Sequence, residues 1–67
     1  MKRYYVDLRP LPLSERATAA KRLDDMTELA TETYENGVIV GSHFYWKSDT
    51  EPPPSDILPA GCSCRPA

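Results

Sequence analysis

The stretch from Ser14 to Tyr34 contains neither proline nor glycine, and it lies between Pro12 and the pair Asn36-Gly37. Ser14 is a favourable N-cap residue, and Asn-Gly is a strong signal for the end of a helix. Between these limits, mostly apolar residues recur at spacings of three and four, as on one face of an amphipathic helix. They are Ala19, Leu23, Met26, Ala30 and Thr33, with Ala20, Leu29 and Tyr34 widening the stripe. The pattern predicts one helix of about 20 residues and roughly 30 Å.

Two shorter segments have the composition of β-strands. From Arg3 to Leu8 apolar and polar side chains alternate, which predicts a strand that Pro10 and Pro12 end. The segment 38–47 is rich in β-branched and aromatic residues. It fits either one strand or a hairpin with a type II′ turn at Gly41-Ser42. We favour the hairpin, because a helix packed on only two strands makes a poor core.

After Ser48 the composition changes, since Pro52-Pro53-Pro54 and Pro59 favour polyproline II or irregular backbone. The predicted fold class is α+β: a small β-α-β-β domain with one long amphipathic helix packed on a short sheet. We expect residues 1–48 to form this core domain and residues 49–67 to form an irregular Pro-rich tail. A chain of 67 residues has a small core, and such cores rarely supply more than about 3–5 kcal/mol.

The composition predicts a cytoplasmic protein without membrane contact. No apolar run approaches the roughly 20 residues that cross a bilayer, and Met1 to Asp7 lacks the apolar core of a secretory signal. Both cysteines stand near the C-terminus as Cys62-Ser63-Cys64, unlike the dispersed cysteines of secreted disulfide-rich domains. If the chain is phage-encoded, the compartment would be the cytoplasm of the host cell.

The chain carries no motif that predicts catalysis or a cofactor. His43 is the only histidine, and the three glycines stand apart, so no phosphate-binding loop is present. Cys62 and Cys64 supply two of the four ligands that a structural zinc site needs. We therefore expect no enzymatic activity, no cofactor and no bound metal. A metal- or redox-responsive regulator that acts through the cysteine pair remains as an alternative.

The net charge is only −2, but the charges are unevenly distributed. Residues 1–23 carry six bases and two acids, whereas residues 24–56 carry eight acids and one base. On the predicted helix, five of these acids form an acidic ridge: Asp24, Asp25, Glu28, Glu32 and Glu35. Glu32 and Glu35 would oppose the helix dipole, and Glu28 and Glu32 would repel each other. The same charge balance argues against direct binding of DNA or RNA, which needs clustered Lys and Arg.

Aromatic residues give a second candidate surface. Neighbouring side chains of a strand point to opposite faces, so we expect Tyr5 and one of Tyr45 and Trp46 on the sheet face away from the helix. Tyr and Trp are frequent anchors of interfaces, and a sheet with an aromatic face and open edges favours pairing with another chain. We predict that Tyr5, Tyr45 and Trp46 contribute to partner binding, with a homodimer as one outcome.

These observations predict a small non-catalytic inhibitor or modulator that binds another protein. Proteins of this type are often encoded by phages and mobile elements, and they antagonise host defence or nucleic-acid machinery. We expect the acidic ridge to dock on the basic surface of a larger protein or protein–nucleic acid complex. An alternative from another class is an obligate homo-oligomeric structural or assembly protein that uses its sheet face or edge.

Overall fold

The computed structural model describes all 67 residues. Its elements are β1 (Lys2–Asp7), α1 (Leu13–Met26), β2 (Glu28–Glu35), β3 (Val38–Trp46), a 3₁₀-helix (Ser55–Ile57) and β4 (Cys64–Pro66). The four strands form one antiparallel sheet in the order β2-β3-β1-β4. The helix contacts β2 and β3 on one face of the sheet. The predicted α+β class, with a helix packed on a sheet, is confirmed.

The hydrophobic core lies between α1 and one face of the two central strands. Alternate residues of β1 point into it, so that Tyr4 and Val6 are buried, and Leu8 continues the same face beyond the strand. Tyr4 pairs in register with Phe44 of β3, and their ring centroids are 6.0 Å apart. Leu23 of α1 is fully buried against this layer, together with Ala20. The core therefore depends on the pairing of β1 with β3.

The prediction of a long helix is wrong beyond Met26, where α1 ends. Thr27 has an extended backbone, and its hydroxyl donates a hydrogen bond of 2.6 Å to the carbonyl oxygen of Leu23. Such a bond competes with the hydrogen bonds that would continue the helix. The threonines and Tyr34 that follow favour a strand, which forms β2. At the other end α1 begins at Leu13 without a side-chain cap, so Ser14 is not its N-cap.

The preferred hairpin turn at Gly41-Ser42 is also wrong, because β3 runs through both residues as one strand. The alternative interpretation, a single strand, is confirmed. The hairpin forms one step earlier, where Asn36 and Gly37 connect β2 to β3 with φ angles of +52° and +82°. Positive φ at both central residues is what a type I′ turn requires, and Asn-Gly adopts it readily. β2 thus provides the third strand that the single-strand interpretation lacked.

The irregular Pro-rich tail predicted for residues 49–67 is not confirmed. Residues 64–66 form β4, which pairs antiparallel with β1. Pro53 is buried, and Leu58 and Cys62 pack against the core cluster. The predicted β-α-β-β order therefore gains a fourth strand, and β1 lies inside the sheet instead of at its edge. No helix has both the length and the apolar character needed to span a membrane.

We expect truncation of Leu23 to destabilise the fold strongly. Leu23 is fully buried, whereas Leu13 on the same helix is 61% exposed. Leu23→Ala removes packed methyl groups and should lower the free energy of unfolding by about 2–5 kcal/mol. Leu13→Ala is the matched control and should change it by less than about 0.5 kcal/mol. Urea unfolding followed by circular dichroism measures both, and equal effects would contradict this description of the core.

Candidate functional site

The five acids of the predicted ridge do not lie on one helix. Asp24 and Asp25 belong to the last turn of α1, whereas Glu28, Glu32 and Glu35 belong to β2. A ridge carried by a helix is therefore wrong, because α1 ends at Met26. The predicted repulsion between Glu28 and Glu32 on successive helical turns does not arise. β2 is an outer strand of the sheet, so its three acids follow one free sheet edge. We call these three residues, together with Asp24 and Asp25 at the end of α1, the acidic edge.

Most carboxylates of the acidic edge have no basic partner. Only Asp25 forms an ion pair, in which Lys21 Nζ lies 3.8 Å from Asp25 Oδ1 with both side chains largely exposed. Such an exposed pair contributes little to stability. The other four acids form no ion pair within the chain. The acidic edge therefore presents negative charge that the rest of the molecule does not neutralise.

Large apolar side chains are exposed on the same part of the chain. Leu29 is 73% exposed and Tyr34 is 62% exposed, and Met26 and Val38 also belong to the exposed large apolar residues. Leu29 has a φ of +53°, a left-handed conformation that a leucine rarely adopts. It lies where the register between β2 and β3 shifts, because Glu28 pairs with Tyr45 but Thr31 pairs with His43. This bulge adds one residue to β2, as is common at sheet edges and binding sites.

β2 is a poor template for pairing with a second copy of itself. A further register shift falls between Thr33 and Tyr34, so the pairing of β2 with β3 is irregular at two points within eight residues. Bulges and charged side chains are the means by which proteins prevent association between sheet edges. Antiparallel pairing of two β2 strands would also bring carboxylates close to carboxylates, which is unfavourable.

A second surface lies on the sheet face opposite α1. Arg65 of β4, Tyr5 of β1 and His43 of β3 are neighbours in register and form one row across three strands. Arg65 Cζ lies 4.9 Å from the centroid of the Tyr5 ring, and the centroids of Tyr5 and His43 are 4.7 Å apart. Arg3 and Tyr45, which pair with each other, form the next row. We call these residues the aromatic–basic face: Arg3, Tyr5, His43, Tyr45 and Arg65.

Gly41 explains how the Tyr5 ring is seated. A Cβ atom at position 41 would overlap the hydroxyl and ring of Tyr5, so the ring lies across the glycine backbone of the neighbouring strand. A glycine within a strand often marks such a close approach. Gly41, which suggested a turn from sequence, therefore leaves the space that the Tyr5 ring occupies on the aromatic–basic face.

Of the three aromatic residues predicted to bind a partner, two belong to the aromatic–basic face. Tyr5 and Tyr45 are half-buried there. Trp46 belongs to the other side of the sheet, where it packs against the core cluster, and Lys47 Nζ lies 5.6 Å from its ring centroid.

The arginines of the aromatic–basic face have no carboxylate partner. Arg3 and Arg65 form no ion pair within the chain. Asp7 is the acid on the same side of β1, but it pairs with Arg9, whose Nη2 lies 2.8 Å from Asp7 Oδ2. Hydrogen bonds from the side chain and the backbone N–H of Arg9 lower the pKa of Asp7 to about 2. Arg9 therefore takes up the charge of Asp7, and the two arginines stay available.

The pKa of His43 is set by burial and by the two arginines of the aromatic–basic face. Burial lowers the pKa of His43 below its usual 6.5, and the positive charges of Arg3 and Arg65 lower it further. Nδ1 of His43 lies 3.4 Å from the hydroxyl oxygen of Thr33. At neutral pH the ring is therefore an uncharged, flat surface beside Tyr5.

The two cysteines are free and half-buried. Burial raises the pKa of Cys62 and of Cys64, which reduces the thiolate form that metal binding and disulfide exchange require. No group of three or more His, Cys, Asp or Glu side chains is placed to hold a metal ion. This geometry gives no support to the alternative of a metal- or redox-responsive regulator.

Sequence reasoning missed that Arg3 and Arg65 lie on one face of the sheet. The two residues lie at opposite ends of the chain, and Arg65 falls in the segment predicted to be irregular. The signal for β4 is three residues that include a proline, which is too short a pattern to predict a strand.

We expect the pKa of His43 to rise toward 6.5 when Arg65 is replaced by Gln, because one of the charges that oppose protonation is removed. Titration of the imidazole by NMR measures this, and Arg22→Gln on the exposed side of α1 serves as the control. The pKa in the folded chain is lower than in the unfolded chain. His43 therefore contributes stability that is complete above about pH 6.5 and is lost as the pH falls through the lowered value. An unchanged pKa in Arg65→Gln would contradict this arrangement.

Comparison with models of protein families, with curated proteins and with solved structures finds no match for this chain.

Proposed function

We propose that this protein is a non-catalytic binding protein that docks its acidic edge on a basic and partly apolar surface of a larger protein. One observation carries the proposal: Leu29 and Tyr34 are exposed on β2 among carboxylates that have no basic partner. When a partner covers an exposed apolar side chain, the burial of that side chain contributes favourable free energy to binding. The carboxylates around it supply charge complementarity.

The two kinds of side chain have different tasks in this proposal. The carboxylates attract a basic surface over a distance of about one Debye length and orient it before contact. Leu29 and Tyr34 then provide apolar contact at short range, as anchor residues do in other interfaces. The left-handed backbone at Leu29 supports a role in binding, because strain of this kind is often retained at functional positions.

A protein that covers a basic surface would block what that surface normally binds, and nucleic acid is a frequent ligand of such surfaces. We therefore propose the role of an inhibitor or modulator, of the type that phages and mobile elements encode. We propose a cytoplasmic location, which agrees with the two cysteines being free. The absence of a catalytic motif in the sequence supports a function by binding alone.

The test is photo-crosslinking in the native host with benzoylphenylalanine at single positions. We expect position 29 or 34 on the acidic edge to give one discrete adduct with a larger protein. Position 13, where Leu13 is exposed to a similar degree on α1, is the matched control and should give none. Replacing Glu28, Glu32 and Glu35 together by Gln should reduce the adduct several-fold, because the attraction is lost.

The result would contradict the proposal if the triple Gln variant formed the adduct as well as the unaltered chain, or if position 13 captured the same protein. An adduct of twice the monomer mass would favour the homo-oligomeric assembly protein instead. Sedimentation at several concentrations then decides, since a chain that remains monomeric throughout is not an obligate oligomer.

A further inference from the structure

We propose that the aromatic–basic face binds single-stranded nucleic acid. This function would be additional to the docking of the acidic edge, and it uses different residues on a different side of the sheet. The inference starts from three observations: adjacent flat side chains, arginines without carboxylate partners, and a sheet face that no element covers.

Flat groups are the first part of the argument. Tyr5 lies between the Arg65 guanidinium at 4.9 Å and the His43 ring at 4.7 Å. Tyr45 adds another ring in the neighbouring row. Single-stranded bases stack on aromatic rings and on guanidinium planes, and this contact tolerates any base. The His43 ring adds flat surface beside Tyr5, and its lowered pKa keeps it uncharged at neutral pH.

Charge is the second part. Arg3 and Arg65 are exposed and form no ion pair, so both can contact phosphate. Asp7 is paired with Arg9. Glu28 of the acidic edge pairs with Tyr45, at the far side of the row that contains Arg3. The positive charge therefore lies over β1 and β4. A phosphate backbone that follows these two strands would direct its bases toward Tyr5 and Tyr45.

Access is the third part. Residues 57–60 lie beside the N-terminal part of α1, on the covered side of the sheet. On the opposite side a shallow open depression is lined by Arg3, Tyr5, Thr33, His43, Arg65 and Ala67. A ligand that lies flat on the sheet can reach this depression. Two arginines offer few phosphate contacts for a duplex, whose affinity depends mainly on such contacts, so unpaired bases that stack are the better ligand.

The charge balance of the sequence argued against direct contact with nucleic acid, because the basic N-terminal segment is short and mixed and acids dominate residues 24–56. The fold changes that premise, since antiparallel pairing of β4 with β1 brings Arg65 next to Tyr5 and close to Arg3. This proposal therefore replaces the expectation of no direct contact.

The test is fluorescence anisotropy with labelled oligodeoxythymidine and oligouridine of about 12 nucleotides, a length within the range of small single-strand-binding domains. We expect binding to either oligonucleotide that weakens with salt, with a slope of log affinity against log salt of about −1.4 for two phosphate contacts. Arg3→Gln and Arg65→Gln should each reduce this slope by about 0.7. The control Lys21→Gln/Arg22→Gln, which removes two exposed bases from α1, should leave it unchanged.

Stacking is tested separately at position 5. Tyr5→Ala should weaken binding by about tenfold or more, whereas Tyr5→Phe keeps the ring and should bind nearly as well as the unaltered chain. Gly41→Ala should weaken binding too, because the new methyl group displaces the Tyr5 ring without removing it. Circular dichroism checks that each variant is folded. If Tyr5→Ala does not fold, Arg65→Gln still tests the aromatic–basic face, because Arg65 is exposed.

Three results would each overturn the proposal. The first is that neither oligonucleotide shows salt-dependent binding. The second is that Arg3→Gln and Arg65→Gln leave the binding unchanged. The third is that a duplex or a polyglutamate peptide of the same length binds equally well. Glu28→Gln, Glu32→Gln and Glu35→Gln together should bind the oligonucleotide at least as well as the unaltered chain. Loss of crosslinking at the acidic edge and loss of oligonucleotide binding are thus independent outcomes.

Discussion

The antiparallel pairing of β1 with β3 is the interaction on which the rest of the molecule depends. Its register, with Tyr4 opposite Phe44, directs alternate residues of both strands into the core beneath α1. The residues between them point to the other face, which is how Arg3 and Tyr5 come to lie beside Tyr45 and His43. A shift of one residue would exchange the two faces, so the same register that buries the core also assembles the aromatic–basic face.

The sequence predicts best where one periodicity is clear. The alternation around Tyr4 and Val6 located β1, and the spacing of Ala19 and Leu23 located the first part of α1. The error begins at Thr27, since Ala30 fits the period of the predicted helix and also packs against the core from a strand. What decides between them is a hydrogen bond from Thr27 and the long-range pairing of β2 with β3. Neither can be read from spacing alone.

The candidate surfaces were predicted to different degrees, because one is formed by neighbouring residues and the other by long-range strand pairing. The acids from Asp24 to Glu35 are close in sequence, so they stay on one continuous part of the chain although their secondary structure differs from the prediction. The position of Tyr5 on the sheet face away from the helix was predicted from the alternation of side chains within one strand. Arg65 could not be predicted, because its position depends on β4, a strand of three residues that forms only on the edge that β1 offers. Local features were recovered, and features made by pairing of distant segments were not.

The left-handed backbone at Leu29 affects how the protein would change under selection. A glycine adopts a φ of +53° without steric cost, whereas a leucine gives up roughly 1–2 kcal/mol in that conformation. In a protein of 67 residues this is a sizeable share of the stability that a small core provides. Directed evolution for heat resistance alone would therefore be expected to replace Leu29 early, by glycine or asparagine. Evolution under pressure to retain the partner would keep the leucine and compensate elsewhere in the sheet.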